Sequence, residues 1–270
     1  MSILRKLPEE TSSKVINDNP EIKNNIDKHI GLSDSIQTSF GVDILGGKWY
    51  TLYSLSTLHE MLETLPSDWV NGLTLRTEYV DGEYGSYYYN ERLLTINVEP
   101  LNNSRLPTTF LHELGHHVDS KFFNYTAFQS LFEASNQDTS SFAYEYGMTN
   151  SLEDAASTFE KYLLDAPAAF QDALNRARNG NPMYLTKLLT VLDITTGTTK
   201  SEIGSTTGKW YGISSLTFNG RDVINYKSKD INIERNDLEG ISAINGVNVY
   251  IDGSYNIDGL DDLLEKLQGE

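Results

Sequence analysis

The sequence predicts an α+β fold, and three features of its patterning carry that reading. Between about residues 73 and 98, apolar and polar residues alternate with the period of two expected of half-buried strands. Between about 104 and 193, apolar residues recur at helical spacing. Beyond about residue 200, short β-branched and aromatic runs are separated by Gly and Asn turns. The expected organisation is a polar N-terminal arm over 1–42, a domain with a small mixed sheet and site-bearing helices over 43–200, and a C-terminal β-rich module ending in a helix over 201–270.

Composition narrows the function classes. The 270 residues, 39% of them hydrophobic, are enough to build a sizeable core. A formal net charge of -17 opposes nucleic acid phosphates and anionic membrane surfaces, and at long range favours a basic substrate segment. With no cysteine, any metal must be held by His, Asp or Glu. Arg5 and Lys6 run directly into Pro8, Glu9 and Glu10, without the apolar run of a signal peptide, and no stretch has the length of a membrane span. The expectation is therefore a soluble chain without a signal peptide, cytoplasmic or virion-associated.

Taken in order, the arm holds a short helix near Glu21 to Ile30. Lys48 to Leu55 reads as a strand, and Ser56 caps a helix in which Leu58, Met61, Leu62 and Leu65 repeat before Pro66 stops it. His59 within that helix reads as an exposed surface residue. Leu73 to Val80 alternates as a strand, Asp81-Gly82 turns, and Gly85 to Asn90 with Leu93 to Val98 form a hairpin. That hairpin offers a sheet edge to which an extended peptide can add as a further strand.

A helix opened by Pro107, with Asn103 or Ser104 as cap, carries His112-Glu113-Leu114-Gly115-His116. The two histidines, four residues apart, lie one above the other and can hold a single zinc ion. Glu113 on the flank is placed as general base toward a water. At about 100° per residue, Leu111, Leu114, Val118 and Phe122 fall together as a buried stripe beside the histidine face. Helical segments follow at Tyr125 to Ala134, from Ser151 to near Asp165, from Ala168 to Arg178 and from Met183 to Asp193. Strands are expected at Trp210 to Phe218, Val223 to Tyr226, Ile231 to Arg235 and Val247 to Ile251, with a last helix at Leu260 to Leu267.

A catalytic zinc takes three protein ligands and keeps one position for water. The chain has five histidines and none after His117, so the third ligand is expected to be a downstream carboxylate. His117 points about 140° away from His112, and Asp119 sits a turn too far along the helix, suited to packing or to orienting a neighbour. In the helix after Asn150, Glu153 and Glu160 both flank the apolar stripe, and angular position does not separate them. Asp154 reads as the partner of Ser151 in a Ser-x-x-Asp capping box.

Two blocks, HELGHHVDS at His112 to Ser120 and YGMTNSLED at Tyr146 to Asp154, resemble the anthrax lethal factor type of zinc metallopeptidase. The resemblance covers roughly residues 43 to 195. It implies a zincin-like domain of gluzincin type, with Zn2+ held by His112, His116 and Glu153, Glu113 as general base and Tyr146 as donor to the oxyanion. Family members continue with acidic and aromatic residues where this chain has Asp154-Ala155-Ala156-Ser157. The implied activity is a zinc endopeptidase acting on a peptide or protein substrate. A cytosolic regulatory protease of the ImmA/IrrE type shares the HELGH block and a downstream Glu. An assembly or virion protein carrying such a domain would use residues 1–42 or 201–270 to meet its partner.

Overall fold

A computed structural model of the chain describes residues 20–45, 52–78, 84–97, 105–123, 126, 128–195, 204–213, 226–236 and 240–268. It is a mixed α+β architecture. The chain opens with α1 (Pro20–Phe40), β1 (Asp43–Leu45), α2 (Leu52–Thr64), the single turn α3 (Ser67–Val70), β2 (Thr74–Glu78), β3 (Gly85–Tyr88) and β4 (Leu93–Asn97). Next come α4 (Leu106–Val118), which runs into a π-turn (Asp119–Phe123), then α5 (Gln129–Ala134) and 3-10 turns at Thr139–Ser141 and Glu145–Met148. The long α6 (Ser151–Arg178) and α7 (Met183–Thr195) precede β5 (Gly204–Ile213), β6 (Tyr226–Asn236), β7 (Gly240–Ile244), β8 (Val247–Asn248), β9 (Tyr250–Ile251), β10 (Ser254–Tyr255) and α8 (Ile257–Gln268).

The first sheet has the order β1-β2-β4-β3, parallel except for the β3–β4 hairpin, and so places β3 on its outside. The expected hairpin is present, with Gly85 opposite Ile96 and Tyr88 opposite Leu93. The second sheet is antiparallel in the order β5-β6-β7-β8. One contiguous apolar core joins the two ends of the chain, running from Ile36 of α1 through Leu114 and Phe159 to Ile233 and Leu263. At its C-terminal side, Tyr162 and Phe170 of α6 pack edge-on or tilted against Trp210 of β5. No described helix is long and apolar enough to cross a membrane.

Several local expectations change. The arm's helix extends to Phe40 because Ile36 and its neighbours dock on α2, and this half-buries His59: its Nε2 lies 3.1 Å from Ser35 Oγ and its ring packs edge-on against Phe40. The expected strand over Lys48 to Leu55 is overturned at its end. Lys48 to Thr51 lie outside the described residues, and α2 already begins at Leu52, since Leu55, Leu58 and Leu62 share one fully buried face. Asp81-Gly82 and the expected caps Asn103 and Ser104 are also outside the described residues; the residue at the α4 cap position is Arg105, without a side-chain cap bond, and Pro107 stands in the first turn. The expected helix over Tyr125 to Ala134 is shorter, beginning at Gln129. The stop near Asp165 is a kink rather than a break: Asp165 leaves helical geometry (φ -159, ψ 82), and its carboxylate accepts from Ala168 N, restarting the helix after Pro167.

Candidate metal centre

Two helices build the site, and a glycine sets how closely they pass. A Cβ placed on Gly115 would lie 2.9 Å from Ala156 Cα and 3.0 Å from Phe159 Cβ, so only glycine permits this crossing of α4 and α6. The small run Ala155-Ala156-Ser157 is buried at that crossing. Close approach brings two faces together: His112 and His116 on α4, and Glu153 and Glu160, two turns apart, on α6.

The expected Ser-x-x-Asp box at the start of α6 is not formed. Asn150, in extended conformation, is the cap: its side-chain oxygen accepts from Leu152 N at 2.9 Å and Glu153 N at 3.0 Å. Being one residue earlier, it leaves Ser151 to donate to Gln129 and turns Asp154 inward. There Asp154 meets Lys187 of α7 at 2.7 Å, both side chains fully buried. Lys187 Nζ also donates to Ser141 O at 2.8 Å and lies 3.9 Å over the Phe142 ring. One cation thus ties α7 to the first turn of α6 and to the loop leading to Tyr144 and Tyr146.

The donor atoms converge on one point. Glu153 Oε2 lies 3.1 Å from His112 Nε2 and 3.4 Å from His116 Nε2, and the three donors all fall within 4.8 Å of one another. Zinc bonds of about 2.0–2.1 Å in a tetrahedron imply ligand-to-ligand distances of about 3.3–3.4 Å, and the two carboxylate-to-imidazole distances come close to that spacing. Glu160 occupies a different position. Its Oε2 lies 3.2 Å from His112 Nδ1, and its Oε1 accepts from the Tyr144 hydroxyl at 2.9 Å. With Nδ1–H donated to Glu160, His112 turns Nε2 to the shared point, where it donates to Glu153 when protonated and would offer a lone pair to a metal ion once that proton leaves. Geometry therefore separates the two carboxylates that helical angles leave equivalent.

The electrostatics couple the imidazoles to the carboxylates around them. Burial opposes ionisation of Glu153, but hydrogen bonds from His112 and His116 outweigh it and hold its carboxyl at about 2. Burial likewise opposes the imidazolium of His112, yet Glu153 and Glu160, with Glu113 nearby, hold it up at about 9. His116, more deeply buried, is pushed down. In the protein alone a proton on His112 balances the carboxylates; a divalent ion bound by Nε2 would take over that role.

Glu113 is buried at the wall of the same cleft, beside β3. Gly85 of β3 is so near that a Cβ there would sit 2.9 Å from Glu113 Oε1. Tyr146, in the 3-10 turn Glu145–Met148, is exposed, and its ring centroid is 5.8 Å from that of His112. The cleft measures about 760 Å³ and is lined by the three candidate ligands, Glu113, Glu160, hydroxyl groups and five tyrosines, among them Tyr84, Tyr89 and Tyr144. Sequence reasoning missed Tyr144, whose only signal is its place beside Tyr146, and Arg105, whose signal is its place just before the motif helix.

His117 is fully buried, its Nδ1 2.8 Å from the Tyr87 hydroxyl of β3, and it lies outside the triad. It fastens α4 to the sheet, and burial pushes its pKa down to about 4. Asp119, in the π-turn, is buried with Oδ1 unpartnered among the described residues, and burial pushes its carboxyl up to about 6. No protein-family model, no curated protein and no solved structure matches this chain.

Proposed function

We propose that this chain is a zinc-dependent endopeptidase of gluzincin type, with His112, His116 and Glu153 as ligands. The observation that carries the reading is the convergence of two imidazole nitrogens and one carboxylate oxygen within 4.8 Å of one another, beside a further carboxylate, Glu113, in an open cleft. Zinc, when bound there, supplies a Lewis acid that polarises the scissile carbonyl and lowers the pKa of a water. Glu113 takes the proton of that water and returns it to the leaving amine. Glu160 holds His112 by Nδ1 and keeps Nε2 turned to the ion. The Tyr146 phenol donates a hydrogen bond to the carbonyl oxygen as negative charge develops on it. The substrate chain lies between β3 and α4, which line the cleft together with α6 and the Glu145–Met148 turn.

The test is metal content and peptide cleavage of three proteins. Wild type binds one zinc and cleaves. Glu113→Ala retains zinc and loses about 10²–10⁴ in rate, the usual contribution of a general base. Glu153→Ala weakens zinc binding and cleavage together. A wild-type protein that takes up no stoichiometric zinc would sink the proposal.

A further inference from the structure

We infer that Arg105 is the charge-selective subsite of this cleft and that it receives an acidic side chain of the substrate. The inference rests on the peptidase reading for the identity of the bound chain, but its observations are independent of the metal.

Arg105 is the only Lys or Arg among the described residues that line the cleft. Elsewhere Arg176, Arg178 and Arg235 are paired with Asp172, Asp261 and Asp193. Arg105 has no carboxylate at ion-pair distance among the described residues. Its guanidinium carbon instead lies over the Tyr84 ring, 4.3 Å from the centroid, in the position of a cation–π contact. Such a contact occupies the face of the guanidinium and leaves its in-plane N–H fork for a ligand, the geometry that matches a carboxylate by two parallel hydrogen bonds. The ring also restricts the long side chain, so less rotamer freedom is lost when a ligand binds.

The other charged groups of the cleft are engaged at its centre: Glu153 and Glu160 contact His112, and Glu113 lies against Gly85. The net charge of -17 would repel an acidic peptide at long range. At physiological ionic strength, however, fields fade over about 8 Å, so direct contact with Arg105 governs selection once the peptide is in the cleft. Position follows from helix geometry. Arg105 precedes His112 by seven residues, about 10 Å along α4 at about 1.5 Å per residue. An extended peptide covers that distance in about three residues, which places the acidic side chain about three positions from the scissile bond.

The experiment uses the full chain and a peptide set identical except for Asp, Ala or Lys at the second to fourth positions on either side of the cleaved bond. Zinc-loaded wild type is expected to favour Asp over Lys at one of these positions by about 5–10-fold in kcat/KM, the range of an ion pair with good hydrogen bonds. Arg105→Glu reverses the ratio there, and Arg105→Lys keeps its sign with a smaller value. The same Asp-to-Lys ratio in wild type and Arg105→Glu overturns the inference. Binding of the same peptides to Glu113→Ala protein, read by fluorescence anisotropy, separates the two proposals. Charge-selective binding without any cleavage by wild type upholds the subsite and removes the peptidase reading, whereas cleavage without charge selectivity does the opposite.

Discussion

Glu153 and Asp154 are neighbours in the first turn of α6, yet their surroundings differ in kind. Asp154 turns into the core, where Lys187 supplies a cation from the chain itself at 2.7 Å with no exposure of either group. Glu153 turns to the cleft, where its partners are two imidazoles that are neutral or charged according to what else is bound. Asp119, also buried, has no cation at ion-pair distance among the described residues, and burial pushes its carboxyl up to about 6. Charge paired within the chain holds the scaffold, whereas the carboxylate at the cleft faces imidazoles whose charge can change.

The sharpest way to break this comparison is Lys187→Met. Removing one member of a buried pair strands the other, and the expected loss of stability is about 3–5 kcal/mol, read by chemical denaturation. Adding Asp154→Asn to that variant recovers part of the loss, because no buried charge remains unpaired. An unchanged midpoint in the single variant would mean that the pair contributes nothing to holding α6 and α7 together.

Asp119 gives a pH-dependent effect. Its folded pKa, about 6, lies above the usual carboxylate value of 3.8, so the native state binds the proton more tightly. Its contribution is fully present below about pH 4 and is lost as pH rises through about 6, a span worth up to about 3 kcal/mol for roughly two units. Stability of Asp119→Asn, measured by denaturation from pH 4 to 7, is expected to lack this decline, so that the variant gains on wild type as pH rises. Parallel curves for the two proteins would show that Asp119 ionises as it does in water.

Gly115→Ala probes the cleft side alone. The added methyl meets Ala156 backbone at 2.9 Å and must push α4 from α6, at a stability cost of about 1–3 kcal/mol. Because the Asp154–Lys187 pair joins α6 to α7 and is untouched, zinc affinity is expected to fall further than global stability does. Equal loss of both would show that the crossing supports the fold as a whole rather than the triad.

Much of the site is legible in the linear chain because α4 is a regular helix. His112, His116, the buried stripe of Leu111, Leu114 and Val118, and the hairpin beside them follow from spacing alone. Local propensity was a poorer guide where tertiary packing intervenes: α2 starts before Ser56, His59 is covered by α1, and Asn150 rather than Ser151 caps α6.

What the sequence by itself determined is that His112 and His116 share a face with Glu113 on its flank, since residues four apart on one helix lie one above the other. It also turned the search for a third donor to the downstream carboxylates, since no histidine follows His117. Which acid, and in what role, was decided only when Gly115 let α4 and α6 pass in contact. Glu153 and Glu160 share a face of α6 in any helix. Only the crossing point sets one against the two Nε2 atoms and the other against Nδ1, because it fixes how far along α6 the histidines reach.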